Sequence, residues 1–153
     1  MGAVFFYHLT RQPLEVTLPM LLGKATGAGW RVVIRGQQTD RIEMLDRVLW
    51  IRDDGFMPHG VAGGPYDSDQ PILLTTADDI PNSARCLMAV DGADVAADEV
   101  NKMERVCILF DGNNETDLAR ARVQWKTLTD AGCAAQYWSE ESGRWEKKAE
   151  SGA

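Results

Sequence analysis

The chain has 153 residues, 44% of them hydrophobic, with 16 Lys plus Arg against 23 Asp plus Glu and a formal net charge of −7. That length is enough for one domain with a substantial core, without disulfides or a structural metal. The acidic balance opposes tight direct binding to nucleic acid, which needs a concentrated cationic face.

A first strand is predicted over 3–9, AVFFYHL, too short an apolar run for a secretory core and with no basic segment before it. Leu14, Leu18, Leu21, Leu22 and Ala25 then follow helical spacing, with Gly27 and Gly29 as stop signals and Pro19 leaving the helix start or its straightness open. After a strand over 31–36, RVVIRG, Thr39 can cap a helix whose Ile42, Leu45, Val48 and Leu49 form one apolar face ending at Trp50. A glycine-rich connection, GVAGGPYDSD, leads to strands over 71–76 (PILLTT) and 86–92 (CLMAVDG). The segment DVAADEVNKMERV reads as a short helix feeding a strand over 105–112, RVCILFDG. A last helix, ETDLARARVQWKTLTDAG, precedes a strand over 133–138, CAAQYW.

Continuous apolar strands joined by helices predict an α/β fold: a three-layer α/β/α domain with a mainly parallel sheet of five or six strands. It spans residues 1–145 as one domain, and the polar end 146–153 is expected to fray. Cys86, Cys107 and Cys133 are widely spaced, with no CxxC pair and no clustered histidines, so they read as buried thiols in a reducing cytosol rather than metal ligands. No stretch reaches the roughly 20 apolar residues that span a bilayer. The expectation is a cytoplasmic protein without membrane contact or cofactor.

Catalytic motifs are sparse. Asp91 and Asp111 follow strands where open α/β sheets often bind ligands, and a small metal- or phosphate-dependent enzyme would use them. Asp-Gly after a strand also simply makes a turn. The segment GKATGAG is not a phosphate loop, since Leu18 stands where its first glycine is required and Ala25 where Ser or Thr is. His8 and His59 have no paired nucleophile nearby in the sequence, which favours structural hydrogen bonding.

Two regions suggest protein partners. In 47–60, RVLWIRDDGFMPHG, Trp50 and Phe56 bracket an acidic linker followed by Pro58 and His59, and apolar side chains in a loop suggest contact with another molecule. On the last helix Arg122 and Lys126 share a face, with Trp125 beside them and Arg120 nearby. That group suits an acidic, apolar peptide. The alternative is a solvated helix face with Trp125 turned into the core. The internal ADDIPNSA, 77–84, reads as a loop turn rather than a recognition motif.

The strand ending in FYHL, WRVVIR, the helix ending in LDRVLW, the F-x-P-H segment of Phe56 to His59 and the late LARARVQWKTLTDAG occur in one order. In that order the chain resembles the chi subunit of bacterial DNA polymerase III from about residue 4 to 138. The resemblance implies a noncatalytic accessory protein of the clamp-loader assembly. It would grip the acidic, phenylalanine-ended C-terminal tail of the single-stranded-DNA-binding protein and hold the psi subunit. It implies a psi-facing surface at Trp50, Phe56, Pro58 and His59, and a tail-binding surface at Arg122, Trp125 and Lys126 with Arg120 nearby.

Overall fold

The computed structural model describes residues 2–51 and 58–152. Eight strands form one sheet: β1 (Ala3–Leu9), β2 (Val32–Arg35), β3 (Gly60–Val61), β4 (Ile72–Thr75), β5 (Cys86–Ala89), β6 (Arg105–Asp111), β7 (Ala134–Ser139) and β8 (Glu146–Ser151). Their order is β3-β4-β2-β5-β6-β1-β7-β8. All neighbours pair in parallel except β7 and β8, which are antiparallel. The central runs VVIR, ILLT and CLMA are buried at every position, as strands covered on both faces must be.

The helices are α1 (Leu14–Gly27), α2 (Thr39–Trp50), α3 (Ala97–Lys102) and α4 (Glu115–Asp130). On one face Leu18, Leu21 and Leu22 of α1 and Ile42, Leu45 and Leu49 of α2 pack with Val32, Ile34, Leu74 and Met88. On the other, Val100 of α3 and Ala121 and Leu128 of α4 pack with Val4, Phe6, Leu87 and Ile108. The three-layer α/β/α architecture follows.

Pro19 lies inside a continuous α1, which ends where Trp30 N–H donates to Ala25 O and Gly29 N–H to Thr26 O. Thr39 is the first residue of α2 rather than its cap; Gln38 takes the cap position and makes no side-chain bond there. The sheet exceeds the expected five or six strands by two edges. The two-residue β3 lies in the glycine-rich connection, and the polar end predicted to fray pairs instead as β8, its main chain matched to β7 while its side chains stay in water.

Arg35, 2% exposed, ties one end of the sheet together. Its guanidinium donates to both Glu99 oxygens, at 2.8 and 2.7 Å, and to the carbonyls of Ala77, Asp78 and Asp94. The ADDIPNSA segment is thus a clamped β4–β5 loop, with buried Asn82 donating to Val32 O and Gln70 O. Cys86, Cys107 and Cys133 are buried and free.

Candidate partner-binding surfaces

α2 presents Trp50 at its exposed end because Ile42, Leu45 and Leu49 form the buried stripe and Trp50, one residue past Leu49, lies off it. Trp50 is 52% exposed and Ile51 76%, and α2 packs against edge strand β3, whose Val61 is also exposed. The Trp50 ring lies 4.1 Å from that of His59, centroid to centroid, at an interplanar angle of 36°. His59 is buried, with Nε2 3.2 Å from both a carboxylate oxygen and the carbonyl of Asp46. The histidine therefore anchors the strand entry to α2 and supports the tryptophan from beneath. Pro58 is exposed; Phe56 lies outside the described residues.

α4 starts at Asn114, whose side chain accepts from the Asp117 N–H as a helix cap. The structure divides its basic-aromatic group. Arg122 and Lys126 are exposed on one side, and Lys126 pairs with Asp130 at 3.1 Å. Trp125 is turned toward the sheet and half-buried, its ring edge-on to Phe6 at 5.4 Å and to Tyr137 at 6.0 Å. The core-facing alternative therefore describes Trp125 better than a free aromatic wall does. Arg120 points elsewhere, packing against Gly92 in a polar cleft with Gln37, Arg41, Asp91 and Asp117.

Tyr137 was not singled out by sequence, yet it sits under α4 and hydrogen-bonds His8 Nδ1 at 2.9 Å. Burial pushes its phenol upward while Arg122 acts in the opposite direction, so the guanidinium lies within electrostatic reach of the ring. The period-two alternation of β7, which puts Ala135 and Tyr137 on one face, was the available signal.

The loop after β1 leads to a helix on one face and the loop after β6 to a helix on the other, so a crevice of about 530 Å³ opens between their carboxyl ends. Several polar groups around it are engaged internally. Glu140, itself buried, accepts N–H bonds from Thr10, Arg11 and Gln12 at 3.1, 2.9 and 2.9 Å. Asp91 and Gly92 both adopt positive φ, 54° and 80°, forming the tight turn that Asp-Gly suggested. The Asp91 carboxylate accepts from Arg41 Nε and Nη2 at 3.1 and 3.2 Å, and that hydrogen bond pushes the guanidinium pKa up. Asp111 accepts from the Asn113 N–H, 2.9 Å, in a local turn. Among the described residues no group of three or more His, Cys, Asp or Glu is arranged to hold a metal.

A family model described as DNA polymerase III chi subunit, HolC, matches residues 1–136. The chain belongs to the chi family. It is accordingly an accessory subunit of DNA polymerase III, acting in DNA replication. The match runs from β1 into β7, taking in Trp50 and all of α4, and leaves β8 outside. No curated protein matches the chain. No helix among the described residues is long and apolar enough to cross a membrane.

Proposed function

We propose that this chi-family chain is a noncatalytic bridge between the single-stranded-DNA-binding protein and the clamp-loader assembly, working in the cytoplasm. The observation that carries the reading is the presence of two unlike surfaces on different elements. An apolar patch of Trp50 and Ile51 stands at the β3 edge, and a cationic strip of Arg122 and Lys126 lies on α4, over β6 and β7. The apolar patch takes psi or an equivalent loader protein, since exposed aromatic and aliphatic side chains clustered beside a short edge strand suit a stable protein contact. Phe56 and Pro58 belong to the same proposed surface, with His59 positioning Trp50 rather than touching the partner.

The cationic strip takes the acidic C-terminal tail of the single-stranded-DNA-binding protein. Arg122 makes no ion pair with any described residue, so its guanidinium is available to a carboxylate. Lys126 must exchange Asp130 for the tail, a small cost for an exposed pair. Trp125 and Tyr137 then serve as the apolar floor beside the cations, and Arg120 contributes from the neighbouring cleft. Tails displayed in several copies on coated DNA raise the loader's local concentration even when each contact is weak.

Fluorescence anisotropy of a labelled tail peptide tests the second half of this proposal. Saturable binding that weakens at higher salt, and at least tenfold in Arg122→Ala, supports it; a folded wild-type sample that does not bind removes the bridge.

A further inference from the structure

A second opening lies on the sheet face that carries α1 and α2, opposite α4. Alternation along β1 sends Val4 and Phe6 to the α4 side and leaves Phe5 and Tyr7 on this one. α1 bounds the groove on one side. Trp145, just before β8, bounds it on the other and meets Tyr7 edge-on at 5.4 Å. The enclosed volume is about 410 Å³, within the range of small-molecule sites.

The charge of this groove opposes that of the molecule. Among the described residues its lining holds two charged side chains, Lys24 and Arg105, and no carboxylate, in a chain of net charge −7. The Arg105 guanidinium carbon stacks 4.2 Å from the Phe5 ring centroid and lies 5.5 Å from that of Trp30. Its Nε is buried without a hydrogen-bond partner, and neither cation forms an ion pair among the described residues. Burial pushes the Tyr7 phenol up, and a hydrogen bond with Cys86 together with burial pushes the Cys107 thiol up, so both remain neutral. An arginine lying over an aromatic ring with its donors unspent suits a planar anion, because a guanidinium fork engages a carboxylate through two N–H donors.

We propose that this groove binds a small aromatic carboxylate, its ring on the aromatic floor and its carboxylate on Arg105, with Lys24 as the second cation. The site is separate from both proposed protein-binding surfaces, since Arg122 and Trp125 belong to the opposite face and Trp50 to the β3 edge.

The probe is 2-naphthoate, titrated into the intact protein by calorimetry and by amide NMR. The expected result is saturable binding with the largest shifts in β1, β6 and α1, weakened at least tenfold by Arg105→Gln and about threefold by Lys24→Gln. The uncharged 2-naphthalenemethanol should bind wild type at least tenfold more weakly than the acid. Naphthoate that does not saturate, shifts that fall on α4 instead, or equal binding of acid and alcohol would overturn the proposal, as would unchanged affinity in a folded Arg105→Gln variant. If circular dichroism shows that variant unfolded, the acid-against-alcohol comparison on wild type and the Lys24→Gln variant decide.

Discussion

The half-exposed Trp50 ring rests on the buried His59 ring at 4.1 Å, so one residue of this pair faces outward while the other holds the fold. Their substitutions should therefore separate. Trp50→Ala loses one aromatic contact, about 1 kcal/mol, but weakens binding to psi or its equivalent more than tenfold. His59→Ala removes a buried ring that bonds partly exposed Asp46 and supports Trp50, and costs about 2 kcal/mol of stability. Urea unfolding and surface-plasmon titration on the same samples distinguish the two effects.

Glu99 makes acid stability depend on one ion pair. Burial pushes its carboxyl upward, yet hydrogen bonds from Arg35 and the Ala96 N–H outweigh that and hold it below the usual carboxylate range. A pKa lowered by folding contributes stability that is complete above the unfolded value, about 4.3, and is lost as pH falls through the folded value. Glu99→Gln should cost about 3 kcal/mol at neutral pH by leaving Arg35 buried and unneutralised. Below about pH 4.3 the wild type should lose stability more steeply than the variant, as followed by denaturant melts from pH 7 to 3.

Two glycines should respond oppositely to alanine. A Cβ on Gly112 would fall 1.8 Å from the His8 ring, which the Tyr137 hydroxyl holds in place, whereas one on Gly27 at the end of α1 meets nothing within 4 Å. Gly112→Ala should destabilise by about 2 kcal/mol through overpacking. Gly27→Ala should stabilise by about 0.5 kcal/mol by restricting the unfolded chain. Thermal melts check both signs.

The thiols should be inert in the folded state. Cys107 is buried and hydrogen-bonded to Cys86, which keeps it protonated, and burial also raises the Cys133 thiol pKa. Reaction with a colorimetric disulfide reagent at pH 8 should be slow for native protein and rapid for all three thiols in denaturant. Fast native modification would contradict the burial.

The interior strands were legible because apolar runs such as VVIR and ILLT carry their burial in their composition. The edges were not. β3 is two residues in a glycine-rich stretch, and EKKAES has no apolar face, so the pairing of both rests on main-chain bonds to a neighbour that local sequence does not reveal. Spacing correctly put Arg122 and Lys126 on one side of α4. It could not say which way Trp125 faces, because Phe6 and Tyr137, which receive it, come from distant parts of the chain. Nor could it show that Arg120, two residues from Arg122, turns into a different cleft with Asp91.

The bridge itself is tested most directly by reconstitution. DNA coated with the single-stranded-DNA-binding protein is immobilised, this chain is added, and retention of the psi-containing clamp loader is measured. Wild type should retain the loader. Trp50→Ala should stay on the coated DNA yet lose the loader, and Arg122→Ala should bind the loader in solution yet fail to bring it to the DNA. Loader retention that is the same with and without this chain, or that survives both substitutions unchanged, would contradict the account.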